Sequence, residues 1–160
     1  MDEPSCPREL RGILDTVTVG EVTRTGYPML SPDDSVQDAI AAMRRSRHGS
    51  VIVCRDDRLV GVFTERDLLR VVHEGRVDSL ISEVMTANPQ SVDMTDPLIT
   101  ATRLMDEGGY RRLPVLDVDG RPCGVVDVKA ITHLIVEHFP EAVYNQAAHA
   151  QLIARHREGA

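Results

Sequence analysis

Two stretches of this chain repeat each other. Val19–Val22 reads V-G-E-V, and Ile81–Val84 reads I-S-E-V 62 positions later. At the same spacing Asp34 meets Asp96, Val36 meets Leu98, Ala39 meets Ala101 and Met43 meets Met105. Farther on the spacing reads as 63. Val51 then meets Pro114 and Gly61 meets Gly124, which puts one extra residue of the second copy near Gly108-Gly109. Self-similarity at a fixed period limits the fold more than any local signal, because one supersecondary unit must occur twice. The chain divides into an extension (1–16), a first repeat (17–77), a second repeat (78–139) and a tail (140–160).

Each copy parses as β-α-β-β-α. A short extended lead-in comes first, Tyr27–Ser31 or Gln90–Met94. A helix follows, with Val36, Ala39, Ile40 and Met43 on one face, or Leu98, Ala101 and Met105. Asp34 and Asp96 are placed to cap these helices, Pro97 suits a first helical position, and Gly108-Gly109 suits a helix end. A hairpin comes next. Ser50–Cys54 and Leu59–Phe63 flank Arg55–Arg58, while Leu113–Val118 and Cys123–Val126 flank the strong turn signal Asp119-Gly120. A second helix closes each unit, over about 65–74 and 128–138. One copy owns only a small core and leaves a helix face open, so two copies must stack. The fold class is α/β (α+β).

Composition narrows the function. Apolar residues make up 42% of the chain, but it has two Phe, three Tyr and no Trp, so the core is aliphatic. The net charge of −7, without a long basic run, argues against nucleic acid, whose binding rests on neutralised phosphates. No apolar run approaches the roughly 20 residues of a membrane helix. Met1–Arg11 is polar, lacks a signal peptide's apolar stretch and lacks a myristoylation glycine. Cys6, Cys54 and Cys123 make no disulfide framework or zinc spacing, and Cys54 and Cys123 read as buried thiols. A cytoplasmic protein without membrane attachment is expected. His149 and His156 could share a face of a helical tail over 141–157, but no carboxylate or Cys completes a metal site there. No G-x-S-x-G, H-E-x-x-H or P-loop is present, so no enzyme is expected.

The informative stretch is Gly61–Asp67, G-V-F-T-E-R-D, where a strand hands over to a helix. Thr64 and Asp67 are three apart and share one side of the opening turn, whose free N–H groups favour an anion. Gly61 leaves room for a ring to approach the strand. A hydroxyl near a phosphate and a carboxylate able to accept from two ribose hydroxyls suit a nucleoside phosphate. The plainer alternative is an ordinary helix cap.

The doubled unit, L-P-V-L-D at Leu113–Asp117 and G-V-F-T-E-R-D closely resemble the CBS domain family. The resemblance is to tandem pairs (Bateman modules), stand-alone bacterial ones among them. It implies two repeats packed sheet to sheet about a pseudo-twofold axis, with adenine ligands held in clefts between them. By resemblance, Asp67 holds the ribose and Thr64 the ribose or phosphate, with Gly61, Val62 and Arg66 beside them. Tyr27, Met29, Leu30 and the Val62 strand are expected as the adenine wall. Arg111 and Arg112 are expected on the phosphate, unless they are merely solvated. His48 occupies the matching place in the first copy. The second copy departs from the motif. Asp127 stands for Thr64 and Ala130 for Asp67. One competent site per chain is therefore expected. The implied protein is a homodimeric regulatory module. It needs no cofactor, takes an adenine nucleotide (AMP, ADP, ATP or NAD, with S-adenosylmethionine left open) and acts on an unknown effector protein. The alternative is an interaction scaffold with empty clefts.

Overall fold

A computed structural model describes residues 6–139. In chain order the elements are α1 (Cys6–Thr16), α2 (Val19–Val22), β1 (Met29–Leu30), α3 (Val36–Ser46), β2 (Ser50–Arg55), β3 (Arg58–Thr64), α4 (Glu65–His73), α5 (Ile81–Val84), β4 (Thr86–Ala87), β5 (Val92–Asp93), α6 (Leu98–Gly108), β6 (Arg112–Leu116), β7 (Pro122–Asp127) and α7 (Val128–His138). The β-α-β-β-α parse holds in both copies. The expected tail helix, with His149 and His156, lies outside the described residues.

Two sheets form, in the orders β1-β2-β3-β4 and β5-β6-β7. In each, a short strand runs parallel to the first arm of a hairpin. Val, Ile and Phe in the hairpin arms supply the buried faces, as β-branched and aromatic residues do on a pleated surface. Ile52 of β2 and Val125 of β7 are both buried and meet with Tyr27 in a cluster between the sheets. Arg58 Nη1 donates to the carbonyls of Asp119 (2.8 Å) and Gly120 (3.2 Å), clasping the tip of one hairpin to the other.

The segments that open the two repeats change places. Ile81 and Val84, from the second repeat, are buried with Val36, Val51, Val53, Phe63 and Val71 of the first. Val19, from the first repeat, is buried with Leu98, Leu113, Val115 and Val126 of the second. The backbone exchange is reciprocal. Ile81 N donates to Asp34 O and Val19 N donates to Asp96 O, both at 2.8 Å. The strands follow. Thr86–Ala87 pairs antiparallel with β3 at Gly61–Val62, and Arg24 bridges to Val125 of β7. Burial of Ile81 and Val19 contributes about 1.5–3 kcal/mol each, enough to tie either repeat to the other. Neither core is complete within one sequence copy.

Three local expectations need correction. The spacing between copies stays at 62 through β6, since Val51 pairs with Phe63 where Leu113 pairs with Val126. The extra residue sits in the second hairpin. Asp56-Asp57 turn tightly with φ of 50° and 57°, whereas residues 117–121 form a longer loop around Gly120, φ 74°. There Asp117 Oδ1 accepts from the N–H groups of Asp119 and Arg121. His48 therefore matches Tyr110 and not Arg111.

Secondly, Asp34 and Asp96 do not cap the helices. Each carboxylate closes the turn before, accepting from Ser31 N (2.7 Å) or Asp93 N (3.0 Å). Ser35 caps α3 in a reciprocal box with Asp38, and Pro97 precedes the first turn of α6 in extended conformation. Thirdly, the polar start contains a helix. Leu14 of α1 is buried in the second repeat's core, with Leu10 and Val17 packed against it. Cys54 and Cys123 are free and only partly buried. Burial pushes both thiols up, with Asp57 and Asp117 adding to the effect, so neither is a ready nucleophile.

Candidate functional site

β3 ends and α4 begins at Thr64, whose backbone is extended (φ −121°, ψ 166°). Thr64 Oγ1 accepts from Asp67 N at 3.3 Å. Asp67 Oδ2 accepts in return from Thr64 N at 3.0 Å and from Thr64 Oγ1 at 2.8 Å. Asp67 Oδ1 accepts from Arg70 Nη2 at 3.0 Å, and the same nitrogen donates to Val84 O at 2.8 Å. The motif pair is thus a complete capping box. A carboxylate offers about four acceptor positions. Three are taken, so one remains for an incoming hydroxyl. The second ribose hydroxyl expected from the sequence needs Arg70 or the Thr64 hydroxyl to give way. Asp67 itself is 9% exposed and fixed in place.

Arg70 is the residue the sequence reading missed. It joins the motif carboxylate to the carbonyl of α5, the segment exchanged from the second repeat. Its position three residues after Asp67 was the available signal.

Gly61 also has a packing reason. A side chain there would strike Met85 Sδ and come within 3.2 Å of Thr86 O. Gly124 is its counterpart: a Cβ there would fall 2.5 Å from Arg24 O and 2.6 Å from Thr23 Cγ2. Both glycines admit the lead-in segment of the other repeat. The wall of the first cleft beside Gly61–Val62 is therefore Met85–Ala87, which continues to Asn88 through a hydrogen bond to Val60 O (3.0 Å).

The lead-in of the first repeat goes to the second cleft. Tyr27 is buried against Val125, and Arg112, Asp127 and Arg24 all act on its phenol. Burial pushes that phenol above its ordinary value, Arg112 and Arg24 pull it back, and Asp127 adds to the rise. Arg112 lies across from Asp127 in the β6–β7 register, so it too stands in the second cleft. The structure thus brings Tyr27 and Arg112 together, and brings Thr64 and Asp67 together, at different ends of the exchange. Arg111 is exposed, and its carbonyl accepts from Val128 N at 3.1 Å. Arg66 is exposed on the first turn of α4. Met29 and Leu30 line a cavity of about 560 Å³ with Cys54, Asp57, Asp117 and Arg121, a lining that includes neither Thr64 nor Asp67.

In the second repeat Asp127 caps α7, accepting from Ala130 N at 2.7 Å. Its Oδ1 also pairs with Arg24 Nε at 3.5 Å. Ala130 offers no acceptor in place of Asp67.

Two exchanged β-α-β-β-α repeats, with a threonine–aspartate pair at one strand-to-helix junction, define a tandem-repeat α/β fold. The family model for the CBS domain matches residues 19–74 and 81–137, and the chain belongs to that family. Among curated relatives, the CBS domain-containing protein CBSCBSPB1 of Arabidopsis thaliana is 38% identical over 110 residues, 67% of this chain and 20% of that one. The chain thus spans about a fifth of the length of the first such relatives. Among solved structures, the CBS-pair protein CBSX2 from Arabidopsis thaliana superposes with a TM-score of 0.67 at 26% identity, covering 78% of this chain and 97% of that one. CBSX2 in complex with AMP superposes with a TM-score of 0.65 at 27% identity, covering 75% and 96%. Matches span a plant, an archaeon and a bacterium, so kinship does not single out the bacterial setting expected above. No helix among the described residues is long and apolar enough to cross a membrane.

Proposed function

We propose that this chain is a regulatory module, without catalysis of its own, that senses an adenine nucleotide of the AMP, ADP, ATP or NAD class. The ligand sits in the first cleft, between the Thr64–Asp67 junction and the Met85–Ala87 wall, one per chain. The Asp67 carboxylate carries this reading, because it keeps one acceptor position open at a helix N-terminus where anions are favoured. The AMP complex of CBSX2 supports the ligand class. Arg66 stands beside the motif and Arg111 immediately precedes β6; both are offered for the phosphate. Calorimetric titration with AMP, ADP, ATP and NAD tests the reading, and silence across the panel overturns it.

A second reading has its own support. The capping box satisfies the motif pair without any ligand, as an interaction scaffold would need. Assembly is part of both readings. Leu69 and Val72 on α4 are 72% and 56% exposed, and covering them favours a homodimer in the cytoplasm docking on an effector protein. Light scattering at micromolar concentration reports twice the 17.7 kDa chain mass under this reading, and the chain mass itself if the helices stay uncovered.

A further inference from the structure

The second cleft already holds groups of this chain. The Tyr27 ring stacks on the His48 ring, centroids 3.9 Å apart and planes inclined by 16°. Tyr27 is 6% exposed. A third ring inserted between them needs about twice the contact distance of 3.5–4.0 Å, so the pair leaves no slot for a base. Beside the stack, the Asp127 carboxylate sits on the N-terminus of α7 through Ala130 N, and Arg24 balances its charge. Arg112 approaches the phenol from β6. An aromatic face, an anion at a helix N-terminus and two arginines are what a bound nucleotide would present or meet. Here the chain supplies all of them.

The first cleft differs at the same places. At the spacing of 62, Pro89 replaces Tyr27 and Tyr110 replaces His48. Tyr110 is 42% exposed, and among the described residues it stacks on no other ring. The two clefts are therefore unlike in more than their motif residues.

We propose that the second cleft is self-occupied. The Tyr27–His48 stack and the Asp127–Arg24 pair stand in for a ligand and close the cleft to nucleotides, while Tyr27 on Val125 and the Asp127–Arg24 pair hold the two repeats together on that side. Motif degeneracy is then not the only barrier, and restoring the motif does not restore a site. The inference rests on the first cleft being the adenylate site only for its binding arm.

The binding arm uses calorimetry with AMP on the full chain. Asp127→Thr with Ala130→Asp keeps the parent's stoichiometry. Adding Tyr27→Ala to that pair raises it by one AMP per chain. A second site appearing before Tyr27 is removed overturns the proposal. So does the absence of one afterwards, in a triple variant that still melts cooperatively. The other arm needs no binding. The ring protons of His48, assigned with His48→Gln, resonate upfield in the ligand-free parent. They lose that shift in Tyr27→Leu and keep it in the parent under excess AMP. Unshifted His48 protons in the ligand-free parent overturn the stack outright. A parent that binds no AMP but shows the shift refutes the first-cleft reading and leaves the self-occupied cleft standing.

Discussion

Asp67→Ala removes three hydrogen bonds at once: those from Thr64 N, Thr64 Oγ1 and Arg70 Nη2. Losing a cap of this kind costs about 1 kcal/mol, within a range of roughly 0.5–2. The Arg70 pair adds little, because the guanidinium is half-exposed, screened by solvent and still bonded to Val84 O. The total is about 1–2 kcal/mol, which lowers the melting temperature by about 2–8 °C for a chain of this size. The effect on ligand is separate. A hydrogen bond to a charged group contributes about 1.5–3 kcal/mol, so AMP affinity falls roughly ten- to hundredfold. Asp67→Asn, which keeps an acceptor for Thr64 N, recovers most of the melting temperature and little of the affinity. Scanning fluorimetry and titration calorimetry read the two effects apart. If Asp67→Ala lowers the melting temperature as calculated but binds AMP like the parent, Asp67 is a cap alone and the ribose assignment falls.

Ile81→Ala leaves a cavity in the first repeat's core, although Ile81 belongs to the second repeat by sequence. It should cost about 2–5 kcal/mol in urea denaturation, and one shared transition is expected. Two separate transitions would show that the exchange does not couple the repeats. Gly61→Ala should lower stability by driving into Met85, with Met85→Ala recovering part of the loss, and an unchanged melting temperature for Gly61→Ala would contradict the contact. The carboxyls of Glu21 and Asp38 are held below their ordinary values of 4.5 and 3.8 by hydrogen bonds from Thr18 and Ser35. Their contribution is complete above those ordinary values and lost as pH falls through the lowered folded ones. Glu21→Gln with Asp38→Asn should therefore flatten the stability curve below about pH 4.5 and leave its acid limb shallower than the parent's. An equally steep limb would assign the acid sensitivity to other groups.

Much of the fold was legible because it is local. Apolar spacing placed α3 and α6, Asp119-Gly120 placed the second hairpin, and the Thr64–Asp67 spacing placed the junction. What stayed hidden depends on pairing between distant segments. Nothing in V-G-E-V says which core Val19 enters, since either repeat offers an apolar slot of the same shape. The same ambiguity hides that Tyr27 packs on Val125 of the second repeat: a lead-in segment reads alike whether it pairs within its own repeat or beside the other. The extra residue was misplaced because one slip in register exchanges Leu113 for Pro114, and both are apolar. The helix α1 is also legible, since Leu10, Leu14 and Val17 recur at helical spacing behind two prolines.

One cleft of the two is proposed to take an adenylate, through Asp67. Titration of the full chain with AMP tests it most directly. Saturation at one AMP per chain in the micromolar range is expected, with the signal greatly weakened in Asp67→Ala and intact in Asp127→Ala. No heat with the folded parent, or two equivalent sites per chain, would contradict it.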